Sequence, residues 1–240
     1  MSVTAPAPLK RFYTTVTVAP ADVAGRFRLH LDGKPVKTPL KRDLDLAGAR
    51  LAEAACAEWR AQGAEMDLAS MPMTRLAMSV ADHVAPRLDA VRQEALGFAG
   101  TDLLCYRAEG PERLAARQSE IWQPFLDWAA AAFGARLATG AGITAIPQPP
   151  EAIAALERVL AALGAEQLLV AHALTYRFGS LILAVAVVRS RASGAEALAA
   201  SRLDEMFQAE TWGGDAEAEA RSARIAREVA DLARFLSLLP

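Results

Sequence analysis

The sequence predicts an α+β fold: a small N-terminal antiparallel β-sheet domain with helices, followed by a C-terminal all-helical orthogonal bundle. Three observations carry this. Residues 11–46 alternate apolar and polar with the two-residue period of strands, Asp32-Gly33 sits between two such runs, and from Ala47 onward the apolar period becomes that of helices. Strands grouped ahead of helices belong to α+β chains rather than to alternating α/β ones.

Taken in order, Phe12, Thr14, Val16 and Val18 form the first alternating run, and Phe27, Leu29 and Leu31 the second. Asp32-Gly33 readily takes the positive φ angles of a tight hairpin and leads into Pro35-Val36-Lys37-Thr38-Pro39. Because Pro35 and Pro39 have no N–H to donate, this third strand is expected at an edge. Leu51, Ala55 and Trp59 share one helical face, and that helix is expected to end by Gly63. Further helices are predicted from Met73 to Val84, Pro86 to Phe98, Pro111 to Phe133, Pro150 to Leu163, Ala165 to Arg189 and Gly194 to Trp212. A last one starts at Asp215, a good N-cap, with Ile225, Val229, Leu232 and Leu236 on one stripe. The helices after Ala47 could cover one face of a small sheet, which puts the domain boundary near Gly100: residues 1–100 and 101–240.

Composition removes whole classes of function. With 53% hydrophobic and 22% charged residues over 240, the chain has material for a buried core, and disorder is excluded as its main state. A net charge of −2 gives no global field for nucleic acid or an anionic membrane. The charge is uneven, however: all the lysines lie within the first 46 residues, where eight bases face four acids. Leu168 to Val188 has about the length of a membrane span, near 20 residues, but contains His172 and Arg177 and reads as a buried core helix. The first ten residues hold no apolar run and no arginine series, so neither a secretory signal nor a transit peptide is expected, and the bacterial cytoplasm is the expected location.

Motifs for catalysis or cofactors are missing. Gly97-Phe98-Ala99-Gly100-Thr101 lacks the lysine of a phosphate loop, and Gly33-Lys34 precedes proline instead of a helix. His30, His83 and His172 have no partner at ligand spacing, and Cys56 and Cys105 form no Cys-x-x-Cys pair. No cofactor and no metal is therefore expected. Ser180 lacks the second glycine of a nucleophile elbow, and Cys105 reads as a small buried hydrophobe.

The most distinctive segment runs from Leu203 to Glu219, with six acids and no base. On a helix, Asp204 and Gln208 share a face with Glu205 adjacent, while Leu203, Met206 and Phe207 can anchor it to a core. Three readings fit: a preorganised acidic binding patch, a merely solvated face, or a carboxylate pair for acid–base chemistry in a hydrolase or transferase using Asp204, Glu205 and Gln208.

Short motifs in a fixed order decide among them. They are Arg11-Phe12-Tyr13, Leu31 to Pro39, Glu58-Trp59, Met71 to Leu76, Thr101 to Arg107, Trp122-Gln123-Pro124 with Asp127-Trp128-Ala129, and Asp204-Glu205 with Gln208, Trp212-Gly213 and Asp215. In this order and spacing the chain resembles the chaperones for assembly of the ATP synthase catalytic head that bind its α subunit, the Atp-twelve family. The resemblance implies an N-terminal α/β part and a helical C-terminal part, no enzymatic turnover, no small-molecule substrate, and transient binding of the free α subunit until β replaces it. It implies partner-binding residues Glu205, Asp204, Gln208, Glu210, Trp212 and Asp215, with Glu205 the best match to the family's glutamate. Trp59, Trp122 and Trp128 read as core residues, and Lys34, Lys37, Lys41 and Arg42 as protection of an edge strand.

Overall fold

The computed structural model describes residues 9–213 and 216–240. The α+β fold is as expected: an antiparallel sheet near the N-terminus, then helices. Two compact units divide the chain, one reaching to Pro86 and rejoined by Ser237–Pro240, the other spanning Arg87–Leu236. The division thus falls at Pro86 instead of near Gly100, because helix α3 (Leu88–Leu96) packs on α5 (Pro150–Ala161) and α6 (Ala165–Phe178) of the second unit.

In the first unit, β1 (Val16–Pro20) pairs antiparallel with β2 (Arg26–Leu31) in the register Val16 opposite Leu31. Alternation puts Leu29 and Leu31 into the core, both under a tenth exposed. Asp32 (φ 48°) and Gly33 (φ 80°) form the two-residue turn into β3 (Lys34–Pro35). Asp32 stands this left-handed geometry because its carboxylate accepts from the Thr14 and Thr15 N–H groups and hydroxyls, which hold its pKa far below the ordinary carboxylate value. The expected edge strand is only two residues long. β4 (Asp45–Ala47) takes the rest of that side of β2, beyond the two prolines.

Helix α1 (Ala49–Arg60) starts at Gly48, whose φ of 83° suits glycine and whose position lies 3.1 Å from the Pro240 ring when a Cβ is placed on it. The face Leu51, Ala55 and Trp59 is buried as its spacing requires. Helix α2 (Pro72–Ser79) runs on through a π turn at Val80–Val84. Glu58 fixes its start: the two carboxylate oxygens accept from the Met73 and Thr74 N–H groups at 2.7 and 2.8 Å. These are two of the donors a helix N-terminus leaves unpaired, and the negative charge suits that end of the helix dipole. Glu58→Ala is therefore expected to cost about 2 kcal/mol in chemical denaturation. A loss under about 0.5 kcal/mol would mean that water replaces the carboxylate without penalty.

The second unit is not purely helical: β5 (Tyr106–Arg107) pairs in parallel with β6 (Gly140–Ala141). Helix α4 (Glu112–Phe133) matches its expected span and buries Leu114, Gln118, Trp122, Leu126 and Ala129 at spacings of three and four. The apolar run Leu168–Val188, expected within one helix ending at Arg189, folds as two, α6 and α7 (Leu181–Val188). Gly179 turns left-handed at φ 64°, and the Ser180 hydroxyl accepts from the Leu183 N–H to start α7. All eight residues of α7 are buried, and no helix among the described residues is long and apolar enough to cross a membrane.

Beneath that turn lies Asp102, fully buried, with carboxylate oxygens accepting from Ile182 N–H at 3.0 Å and Leu104 N–H at 3.1 Å. Burial outweighs these donors and pushes its pKa up to about 6. The region expected as one helix from Gly194 to Trp212 likewise breaks, at Arg202, into α8 (Gly194–Ser201) and α9 (Leu203–Trp212). A Ser193/Glu196 capping box opens α8. Helix α10 (Ala216–Ser237) buries Val229, Leu232 and Phe235. Asp215, expected as its N-cap, lies outside the described residues.

Candidate functional site

Helix α9 presents the acidic segment. Leu203 and Phe207, four apart, are its buried anchors, as the sequence predicts; Met206, expected as a third, is 43% exposed. Spacings of three and four place Glu205, Gln208 and Trp212 on one exposed face, and Trp212 is 78% exposed. So large an indole in water is the reverse of what tryptophan does in the cores around Trp59 and Trp122, which are 6% and 1% exposed.

The acids are not free charges. Asp204, half-buried, accepts from Gln118 Nε2 at 2.8 Å, and the same Gln118 accepts the Ala108 N–H through Oε1 at 2.7 Å. This buried amide ties α9 to α4 and to the end of β5. Glu205 receives Arg202 Nη1 at 2.6 Å, and both oxygens of Glu210 lie within 3.0 Å of Arg117 Nη1. A segment without a base in its own sequence is thus partly neutralised by arginines from outside it. The patch is a mixed polar and aromatic surface and not a bare acidic one.

The floor behind it is built by the other motifs of this unit. Trp122 donates from Nε1 to the Ala200 carbonyl at 2.8 Å, closing α4 onto the end of α8. The Arg107 guanidinium lies 5.2 Å from the centre of the Trp122 ring and donates to Gln123 Oε1 at 3.2 Å. Burial lowers the Arg107 pKa, because an interior poor in water disfavours the charged guanidinium. Cys105, fully buried, has its thiol pushed up to about 12, chiefly by burial and then by the Asp102 charge, so it is inert as a nucleophile. Among the described residues no group of three or more His, Cys, Asp or Glu could hold a metal ion.

Sequence reasoning missed Gln118, Arg117 and Arg202, which orient the acids. For Gln118 a signal existed: it sits four residues before Trp122 on the apolar stripe of α4, where a polar residue needs a partner. Arg202 also carried one, standing three residues before Glu205, whereas Arg117 carried none, since it meets Glu210 from 93 positions away.

The geometry matches known proteins closely. The family model for the ATP12 chaperone protein matches residues 10–130. Atp12 from Paracoccus denitrificans is 40% identical, with a TM-score of 0.92 over 97% of this chain and 99% of that one. A point mutant of the P. denitrificans protein aligns equally well, at 40% identity and a TM-score of 0.92 over 96% of this chain and 97% of that one. The Atu1473 protein from Agrobacterium tumefaciens is 39% identical, with a TM-score of 0.89 over 95% of this chain and 85% of that one. The family is one of chaperones, not of enzymes. With one family model over half its length and full-length structural relatives at this identity, the chain belongs to the ATP12 chaperone protein family.

Proposed function

We propose that the chain is a chaperone for assembly of the ATP synthase catalytic head, working in the bacterial cytoplasm, and that it holds the free α subunit until β replaces it. The observation that carries the site is the exposed Trp212 on the same face of α9 as Glu205 and Gln208. An aromatic anchor rimmed by polar and charged groups is the usual composition of a protein contact. A free ring subunit exposes apolar surface intended for its neighbour, and such surface aggregates until covered. The hydrolase reading loses its support, because Asp204 and Glu205 are engaged by Gln118 and Arg202.

Light scattering of the isolated α subunit on dilution from denaturant tests this. The wild-type chain is expected to suppress the aggregation at near-equimolar ratio. Glu205→Lys is expected to fold normally, with a stability change under about 1 kcal/mol, since Glu205 is exposed and its ion pair lies on the surface. The variant sets a cation against Arg202 and reverses the charge shown to the client, so its protection is expected to fall about tenfold in effective concentration. Unaltered protection would remove Glu205 from the contact.

A further inference from the structure

The first unit contains a groove of about 470 Å³ that the α9 surface leaves without a role. Phe12, Trp59, Met66, Met71, Thr74 and Arg75 form its walls, so motifs from three distant stretches of sequence meet there. Its rim exposes apolar side chains: Phe12 is 66% exposed, Leu9 51% and Leu68 52%. Two wall residues carry polar atoms with no partner among the described residues, Trp59 Nε1 and Thr74 Oγ1, although these residues are only 6% and 2% exposed. Buried donors of this kind call for an acceptor.

Of the charged side chains lining the groove, Asp82 and Lys37 already have partners. Its wall acid, Asp82, is occupied: it accepts from the Thr38 hydroxyl at 2.6 Å and from the Leu40 N–H at 3.2 Å, with Arg42 Nε at 3.8 Å. Lys37 is paired with Asp43. Arg75 is exposed and has no ion pair among the described residues, which leaves a free cation beside an apolar groove with unfilled donors.

We propose that this groove binds an extended peptide segment of the client in which an apolar side chain is flanked by a carboxylate. The apolar side chain seats against Phe12 as Met66 and Met71, now buried, repack around it; the same repacking uncovers Trp59 Nε1–H and the Thr74 hydroxyl to backbone carbonyls, and the carboxylate pairs with Arg75. Unbranched methionine walls repack around varied side chains, which suits a site that reads chemistry and not one sequence. The identity of the client rests on the function proposed above; the chemistry of the groove does not, and it is tested without the client.

The probe is the N-acetylated, C-amidated hexapeptide Glu-Leu-Phe-Leu-Glu-Gly, titrated into the full chain while the four tryptophan indole N–H resonances are followed by NMR. A saturable shift of the Trp59 indole is expected, with those of Trp122 and Trp212 unmoved. Arg75→Glu is expected to weaken this peptide about tenfold, while the version with glutamine for both glutamates binds wild type and variant alike. A Trp59 resonance that stays still up to the peptide's solubility limit overturns the proposal, as does a shift confined to Trp212. Two other occupants would also overturn it: a second copy, seen as a concentration-dependent Trp59 shift with doubled mass and no peptide, or residues 1–8, seen as nuclear Overhauser contacts to Met71.

Discussion

Replacing Asp102 by alanine is expected to destabilise the protein by about 3 kcal/mol at pH 7, measured by chemical denaturation. The carboxylate is the acceptor for Ile182 N–H at the start of α7 and for Leu104 N–H, in a place without water to replace it. Removal leaves those donors unpaired and opens a cavity under a helix buried along its whole length. The pH dependence distinguishes this from simple loss of volume. The folded-state pKa of Asp102, about 6, lies above its ordinary 3.8, so the folded protein holds this proton more tightly than the unfolded chain. Its contribution is therefore fully present below pH 3.8 and is lost as pH rises through 6. Lowering the pH from 7 to 5 should widen the stability gap between wild type and Asp102→Ala by about 1 kcal/mol. A gap that narrows over this interval would mean that Asp102 is stabilised as the carboxylate, with its N–H donors outweighing burial.

Trp212→Ala should leave the fold almost untouched and remove much of the binding. At 78% exposure the indole contributes little to the core, and a stability change under about 0.5 kcal/mol is expected. If Trp212 is the aromatic anchor of the α contact, truncation should cost about 2 kcal/mol, roughly a thirtyfold rise in Kd by titration calorimetry. The two measurements together are decisive. Loss of affinity with an unchanged denaturation midpoint identifies a contact residue, whereas unchanged affinity would move the interface off the Trp212 face of α9.

Much of the fold was legible because its signals are local. The Asp32-Gly33 turn, the alternation of β2 and the stripes of α1 and α4 each depend on neighbours within a few residues. The errors arose where a distant residue sets a boundary. The run from Leu168 to Val188 has continuous helical character, and its break at Gly179 is held by Asp102, some 80 positions earlier. The short β5–β6 pair joins segments with no alternation to announce them. For the site, the placement of Asp204, Glu205 and Gln208 on α9 followed from spacing. Their electrostatics did not: an acidic segment in sequence becomes a partly neutralised surface because Arg117 and Gln118 reach it from α4. Glycine, serine and proline mark chain breaks weakly unless their partners are known, and those partners are tertiary.

The most direct test of the account is capture by the tagged chain of separately expressed α and β subunits of ATP synthase, followed by addition of β to the captured complex. The wild type is expected to retain α and not β and to release α into an α–β complex when β is added, and Trp212→Ala is expected to retain α poorly. Equal retention of both subunits, or of neither, would contradict the account.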